Sequence, residues 1–234
     1  MLESLKNIDR QAFSEQMHEQ GYALVKSVLN QDECEVFKSH FEQDALFRKT
    51  VVMERHQYGK GSYRYYRHPM PALLQGMREE VYALLAPIAN QWSKALNLGT
   101  SYPDHLESFL EQCRHAGQKL ATPLILRYPT GGYNTLHQDL YGEVYFPMQA
   151  IICLSEAGNE FTGGSLVLTE QRPRAQSKAI VINPGQGDMV VIPTQFRPKR
   201  GARGYYRLNM RHGVSEVLSG QRQTMGIILH DALK

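Results

Sequence analysis

Hydrophobic positions follow a helical spacing in the first half of the chain and a strand-like alternation in the second half, with the change near residue 120. Asn30, with an acid three residues later, has the form of an N-cap and predicts a helix that continues to about Phe47. Pro71 and Pro103 stand where the first positions of two further helices are expected. Pro87 lies inside the longer of these and predicts a break or kink.

From residue 122 onward, short apolar runs alternate with Gly, Pro and Asn turn signals. The predicted strands cover residues 124–129, 143–155, 164–170, 179–184, 188–193, 205–214 and 224–230. Their number and close spacing favour a sandwich or barrel, and the lack of helix-sized segments between them disfavours a doubly wound parallel sheet. The predicted fold class is therefore α+β. Helices in residues 1–119 support a β-barrel-like core in residues 120–234, and together they form one domain.

Composition fits a globular protein that needs no membrane or disulfide framework. The 234 residues are 42% hydrophobic and 21% charged, which excludes a largely disordered chain. No apolar run reaches the roughly 20 residues of a membrane span, and the charged first residues do not form a secretory signal. The three cysteines, Cys34, Cys113 and Cys153, form no CxxC motif. A cytoplasmic protein without membrane contact is expected.

Positive charge is concentrated in one part of the chain. Residues 172–211 contain nine Lys or Arg residues and a single acid, a net charge of +8, while the whole chain carries +3. Residues 55–68 and 197–207 interleave basic residues with tyrosines, a composition that suits phosphate neutralisation and base stacking on a nucleic acid. The alternative interpretation is a lid that the tyrosines anchor, with the arginines on its solvent side.

One short motif points to a metal. His137 and Asp139 are two residues apart in a predicted extended segment, so their side chains face the same side and can converge on one ion. A second histidine from a later strand would complete a 2-His-1-carboxylate set, which is typical of non-haem Fe(II) oxygenases. His212, in a predicted strand, is the preferred third ligand and His230 is its rival. The similar pair His105 and Glu107 is rejected because helical geometry places its side chains on opposite faces.

Several segments together resemble the Fe(II)- and 2-oxoglutarate-dependent dioxygenases, which have a double-stranded β-helix (jelly-roll) core. The closest resemblance is to their prolyl-4-hydroxylase-like branch. The similar segments are residues 127–131 and 137–139, the Gly-Gly turn in 159–166, the turn in 184–188, and His212 with a basic residue ten positions later, Arg222. They cover roughly residues 120–232.

The resemblance implies a role for each of these residues. His137, Asp139 and His212 would bind Fe(II), while Tyr128, Arg222 and Thr224 would hold the distal carboxylate of 2-oxoglutarate. A planar guanidinium suits this task because it pairs with a carboxylate through two charge-assisted hydrogen bonds. The implied reaction consumes O2, hydroxylates a substrate C–H bond and releases succinate and CO2.

The substrate remains open at this stage. The Leu-His-Gln-Asp tetrapeptide at residues 136–139 also resembles nucleic-acid alkyl-lesion demethylases, and the chain resembles a bacterial group labelled as oxidative demethylases of damaged DNA. The ten-residue offset from His212 to Arg222 instead fits a prolyl-hydroxylase-type arrangement, which implies a protein or peptide side chain. A small metabolite is a third alternative. A non-catalytic metal-binding barrel and a metal-assisted hydrolase are alternatives from other classes.

Overall fold

The computed structural model describes residue 5 and residues 7–172 and 174–233. The longer helices within these residues are α1 (Arg10–Glu19), α2 (Gln31–His40), α3 (Ala72–Ala95) and α4 (Leu106–His115). The strands are β1 (Ala23–Val25), β2 (Phe47–Val52), β3 (Gly59–Lys60), β4 (Ser62–Tyr66), β5 (Leu124–Pro129), β6 (Tyr133–His137), β7 (Met148–Cys153), β8 (Phe161–Gly163), β9 (Leu166–Gln171), β10 (Lys178–Ile182), β11 (Met189–Pro193), β12 (Phe196–Gly201), β13 (Gly204–Val214) and β14 (Val217–Ile227). None of the described helices combines the length and the hydropathy that crossing a membrane requires.

The strands form two antiparallel sheets. The larger sheet has the order β1-β11-β7-β14-β5-β4-β2, with β8 paired to β14. The smaller sheet has the order β10-β9-β13-β6-β3, with β12 paired to β13. Strands that are distant in sequence therefore become neighbours, and the late strands β13 and β14 each lie in the interior of a sheet.

Alternating side chains on β11 show how the layers stack. Met189 and Val191 are buried in a cluster that also contains residues of all four helices. Val190 and Ile192 point the other way, into a cluster with β9, β10 and β13 of the smaller sheet. The larger sheet is thus the central layer, apolar on both faces, between the helices and the smaller sheet. Each such buried Val or Ile contributes about 1.5–3 kcal/mol relative to an exposed one.

The start of α2 follows the sequence prediction, but its end does not. Asn30 Oδ1 accepts a hydrogen bond from the Glu33 backbone N–H, and the Glu33 carboxylate accepts one from the Asn30 N–H, both at 2.9 Å. This capping box is the predicted one. The helix ends at His40, and Phe47 begins β2. The prediction was wrong there because β2 is fixed by backbone pairing with β4, a partner that helical spacing cannot reveal.

Pro87 does not end helix α3, contrary to the expected break. Proline has no N–H, so the carbonyl of Ala83 four residues earlier loses its helical partner. The Arg10 guanidinium of α1 donates a long hydrogen bond of 3.5 Å to this carbonyl. Leu85 and Ala89 on either side of the proline are fully buried, and their packing holds the helix together.

The first half of the chain contains more strand than the sequence predicted. The short strands β1, β2, β3 and β4 come from it and extend both sheets. In the second half, β8 and β12 were not predicted as strands, and β6 was expected only as an extended segment around His137. β14 begins at Val217 rather than at residue 224, and β7 is shorter than residues 143–155. Most of these differences concern strands of two to six residues, which are too short for a clear alternation of apolar and polar positions.

Arg78 ties α3 to the segment after β14. It is fully buried, donates to the carbonyls of Ile228 and Leu229, and forms an ion pair with Asp231 at 2.8 Å. We expect Arg78→Met to lower the free energy of unfolding by about 3–5 kcal/mol, because it leaves a buried carboxylate without its cation. Urea denaturation measures this change.

The matched control is Arg114→Met, which breaks an ion pair between Arg114 and the exposed Glu107. Exposed pairs contribute about 0–1 kcal/mol, so this variant should unfold almost as the parent does. Equal losses in the two variants would contradict the importance of the buried pair.

Candidate metal centre

Three potential metal ligands meet where β6 pairs with β13. His137 is the last residue of β6 and lies directly opposite His212 in the antiparallel register. Asp139 follows in the loop after β6, with its carboxylate 3.2 Å from His212 Nε2 and 3.7 Å from His137 Nε2. One ligand atom from each residue lies within 4.8 Å of the other two. Residues 73 positions apart in sequence thus share one small space, as the sequence analysis expected.

The histidine of β6 is held in a defined tautomer. His137 Nδ1 lies 2.7 Å from the carbonyl oxygen of Thr135, which can only accept a hydrogen bond. The proton therefore resides on Nδ1, and Nε2 presents its lone pair to the cluster. Burial and the nearby His212 lower the pKa of His137, so the ring is neutral at pH 7. A neutral imidazole is the form that binds a metal.

The carboxylate of Asp139 is held by hydrogen bonds from both sides. Tyr141 Oη donates to one oxygen at 2.7 Å and Gln149 Nε2 donates to the other at 2.8 Å. Tyr65 Oη in turn donates to Tyr141 Oη at 3.1 Å. Burial raises the pKa of Asp139, but a hydrogen bond from His212, the electrostatic interaction with His137 and a hydrogen bond from Tyr141 outweigh it and hold the pKa far below its usual range. The group is an oriented anion.

The cluster lies in a cavity of about 420 Å³ between the two sheets. All six residues that the sequence analysis singled out line it: Tyr128, His137, Asp139, His212, Arg222 and Thr224. Tyr58, Tyr63 and Tyr65 line another part of its wall, and Leu124, Leu126, Ile151, Leu166 and Val214 give it apolar surface. A site of this kind combines convergent polar groups with an apolar wall, which is typical of a small-molecule pocket.

A buried cation faces this cavity without an anionic partner. Arg222 is 1% exposed, its Nη1 has no hydrogen-bond partner, and it forms no ion pair within the described residues. Its guanidinium carbon lies 5.6 Å from the ring centroid of Tyr128, its cross-strand neighbour. Thr224, two residues on, is also buried and lines the cavity. An unpaired buried charge is costly, so this arrangement fits an anionic ligand.

Two neighbours complete the surroundings of Arg222. Gly164 has a φ of +60°, and a Cβ there would lie 2.8 Å from Arg222 Cδ, so a side chain at this position would displace the cation. Burial raises the pKa of Tyr128 to about 12, even though Arg222 opposes the shift. The tyrosine therefore keeps its hydroxyl proton at neutral pH and can donate it to a ligand oxygen.

The basic segment at residues 55–68 is built into the sheets. It contributes β3 to the smaller sheet and β4 to the larger one, and three of its four tyrosines, Tyr58, Tyr63 and Tyr65, line the cavity. The fourth, Tyr66, is buried on the helix side and bonds to His40. Arg64 donates to the carbonyl of Phe41 and to Asp44, so it supports the fold. Tyr63 and Tyr65 belong to β4, which pairs with a strand on each side, so they form part of the cavity wall.

The second basic segment, residues 197–207, is a hairpin of β12 and β13. Arg197 is 2% exposed and is ion-paired with Glu170, with a further hydrogen bond to the carbonyl of His18. This arginine is therefore unavailable to a nucleic acid, contrary to the expectation for the segment as a whole. Arg200, Arg203 and Arg207 are exposed.

The rival ligands stay outside the cluster. His230 is buried and its Nδ1 accepts a hydrogen bond from the Phe146 N–H at 3.2 Å. His105 precedes α4, and Glu107 in the first turn of that helix pairs with Arg114. Within the described part of the chain, neither histidine belongs to a group that could hold a metal.

Sequence reasoning missed the residues that orient the cluster. Tyr141 stands two positions after Asp139, an offset that an extended chain would have placed on the same side. Gln149 is a polar residue in the otherwise apolar strand β7, which is itself a signal of a buried hydrogen bond. Tyr65 could not be found from sequence, because its contact depends on how β4 and the loop after β6 meet.

Comparison with solved structures supports the predicted fold. A Pseudomonas putida prolyl-4-hydroxylase aligns with a TM-score of 0.55 at 14% identity, covering 94% of this chain and 97% of that one. A 2OG-Fe(II) oxygenase family oxidoreductase from Burkholderia pseudomallei aligns with the same TM-score at 13% identity, covering 97% and 93%. The α+β class with a jelly-roll core is confirmed.

Closer relatives occur in Mycobacterium tuberculosis. The proteins MT2286 and Rv2227 from two strains are each 43% identical to this chain over 164 residues, which is 70% of this chain and 70% of the relative. A family model, Oxygenase-NA, matches residues 61–232 and describes oxygenases catalysing oxidative methylation of damaged DNA. This match spans most of the chain and includes the six residues that the sequence analysis singled out. The chain is therefore an oxygenase and belongs to the Oxygenase-NA family.

Proposed function

We propose that this chain is an Fe(II)- and 2-oxoglutarate-dependent dioxygenase in which His137, Asp139 and His212 hold the metal. The observation that carries the proposal is the meeting, in one cavity, of this cluster and the unpaired buried guanidinium of Arg222. Two imidazoles and one carboxylate are the donor set of non-haem Fe(II) oxygenases, and three such ligands would leave room on the ion for further ligands. Bound Fe(II) supplies the oxygen activation that couples oxidative decarboxylation of 2-oxoglutarate to substrate hydroxylation.

The residues of the cavity hold and orient the reactants. Arg222 pairs with the distal carboxylate of 2-oxoglutarate, and Thr224 and Tyr128 each donate a hydroxyl hydrogen bond to it. Tyr141 and Gln149 keep the Asp139 carboxylate in place through its two oxygens. The apolar residues around them limit the access of water, which strengthens the charged interactions.

For the substrate, we propose an alkylated base in a nucleic acid. The description of the family, the net charge of +8 over residues 172–211 and the three tyrosines of the cavity wall support this choice. A base must leave the stack to reach a metal inside a cavity, and aromatic rings can hold it there. Hydroxylation of an N-methyl carbon forms a C–O bond, and the resulting carbinolamine loses formaldehyde when its C–N bond breaks.

A protein or peptide side chain is the second candidate substrate. The observation that favours it is the ten-residue offset between His212 and Arg222, which resembles the prolyl-hydroxylase arrangement. Hydroxylation would then leave a stable alcohol and release no formaldehyde.

We also propose that residues 1–234 act as one oxygenase domain in the cytoplasm. A single core cluster joins the helices to the larger sheet, which supports the first part. All three cysteines are buried and free, which is usual in a reducing compartment and supports the second.

Substitution of Arg222 tests the 2-oxoglutarate site. We expect Arg222→Ala to weaken 2-oxoglutarate binding to the Mn(II)-loaded protein by about 30-fold or more, because the carboxylate loses its buried partner. Titration calorimetry measures the dissociation constant, and Arg222→Lys should lose less because it keeps the charge. Unchanged 2-oxoglutarate affinity in Arg222→Ala, with Mn(II) binding intact, would contradict the assignment.

Substitution of Tyr141 tests how the carboxylate is positioned. We expect Tyr141→Phe to weaken Co(II) binding about tenfold, the lower end of the effect of losing a hydrogen bond to a metal ligand. Tyr65→Phe is the matched control, since it removes a hydroxyl that touches Tyr141 but not Asp139. Titration followed by the visible spectrum of Co(II) measures both. Equal losses of Co(II) affinity in the two variants would show that the hydrogen bond from Tyr141 to Asp139 does not contribute to metal binding.

Turnover tests the reaction itself. Anaerobic addition of Fe(II) and 2-oxoglutarate should produce a visible metal-to-ketone charge-transfer band, and admission of O2 should yield succinate. His212→Ala should abolish both signals because the ion loses one of its three ligands. No band and no succinate from folded, metal-loaded parent protein would contradict the proposal and favour a non-catalytic metal-binding barrel.

The substrate is tested by adding candidates to the same assay. We expect an oligonucleotide with N-methylated bases to increase succinate formation and to release formaldehyde in equal amount. An unmethylated oligonucleotide of the same sequence is the control. Stimulation by a peptide alone, with a mass gain of one oxygen and no formaldehyde, would favour the second candidate.

A further inference from the structure

A polar groove adjoins the catalytic cavity on the outer side of the smaller sheet. Its first part, of about 260 Å³, shares Gln138 with the cavity and is also lined by Thr169, Gln171 and Arg211. Its second part, of about 300 Å³, is lined by Tyr145 and Arg207 among others. Both parts are lined by Gln195 and Asn209, so the two join into one groove that begins at the residue between the metal ligands.

The alternation of β13 explains why these residues lie outside. Leu208 and Met210 are buried between the sheets, so Arg207, Asn209 and Arg211 point to the opposite face. Successive members of this row are about 6.6 Å apart along the strand. The row ends next to His212, which turns back into the cavity. The same strand thus supplies a metal-site residue on one face and two arginines on the other.

Both arginines are free to bind a ligand. Within the described residues, the side chains of Arg207 and Arg211 make no hydrogen bond and no ion pair, unlike the buried side chain of Arg197 on the neighbouring strand. The Arg207 guanidinium lies 4.9 Å from the ring centroid of Phe196, and this cation–π contact holds it in place. No acidic side chain is among the described residues that line the groove. The groove therefore offers two cations together with neutral amide donors.

We propose that this groove binds the sugar-phosphate backbone of a single-stranded segment next to the base that enters the cavity. The inference rests on the proposed nucleic-acid substrate, whose backbone would lie along Arg207, Asn209 and Arg211. Arginines neutralise phosphates, the amides of Gln195 and Asn209 donate to phosphate or sugar oxygens, and the half-buried ring of Tyr145 can stack on a neighbouring base. The substrate is thus held at a place separate from the metal.

The test compares binding of a single-stranded oligonucleotide to the parent chain and to Arg207→Ala/Arg211→Ala at several salt concentrations. Fluorescence anisotropy in the absence of Fe(II) measures affinity without turnover. Loss of two phosphate contacts should lower affinity at least tenfold in low salt, and should reduce the slope of log K against log salt by about 1.4. The double variant Arg207→Lys/Arg211→Lys should keep most of the affinity and most of the slope, because it retains the two positive charges.

Two controls separate the groove from general charge and from folding. Lys49→Ala removes an exposed cation on β2, at the far edge of the larger sheet, and should change the slope little. The double alanine variant should bind Mn(II) and 2-oxoglutarate as the parent does, since its substitutions lie outside the cavity. Loss of either affinity would mean that the substitutions disturb the site, and the groove would then be tested with Asn209→Asp, which repels phosphate.

The outcomes distinguish the groove from the substrate class. Parent protein that binds no oligonucleotide even in low salt would overturn both the proposed substrate and the groove. Binding by the parent with an unchanged slope in the double alanine variant would overturn the groove alone. Binding of an acidic peptide that depends on the two arginines, without oligonucleotide binding, would assign the groove to a protein substrate instead.

Discussion

The site depends on one antiparallel pairing, between β6 and β13. This ladder sets His212 opposite His137 and leaves Asp139 in the loop just beyond, so a ligand atom from a distant strand meets the two that the local sequence places together. A shift of the register by one residue would turn His212 outward, because side chains alternate across a strand. The buried residues Leu208 and Met210 on β13 prevent such a shift by fixing which face is inside.

The central layer connects this pairing to the rest of the cavity. The larger sheet carries Tyr128 on β5 and Arg222 on the adjacent β14, and both side chains face the cavity. The opposite face of this sheet packs against the helices. The three potential metal ligands belong mainly to the smaller sheet, and the unpaired guanidinium of Arg222 belongs to the larger one. Each sheet thus supplies one part of the candidate site, and the spacing of the sheets sets the distance between the ligand cluster and this guanidinium.

Local signals in the sequence predicted the parts of the molecule that are governed locally. The N-cap at Asn30, the short apolar run of β11 and the His137–Asp139 pair depend on residues a few positions apart, and each was found. The candidate ligand set was proposed because the spacing of His212 and Arg222 resembles a known family, and the structure brings its three side chains together. Function at this coarse level was therefore readable from residue types and order.

What escaped prediction depends on contacts between distant segments. Phe47 begins a strand because the strand that it starts pairs with β4. Arg197 can be buried because Glu170 on β9 forms an ion pair with it. Tyr141 and Gln149 look like ordinary polar residues until the loop after β6 folds over β7. The sequence gives the net charge of a segment, but the contacts in the folded protein decide whether a charged side chain is available to bind a ligand.

The place of β14 in the larger sheet has a consequence for the order of folding. It lies between β7 and β5, both of which precede it in the chain, so these two strands have no mutual pairing to close the gap. Until β14 inserts, each leaves an edge of unpaired backbone groups that can recruit a strand from another molecule. The strand that carries Arg222 is thus also the one that protects the folding chain from aggregation.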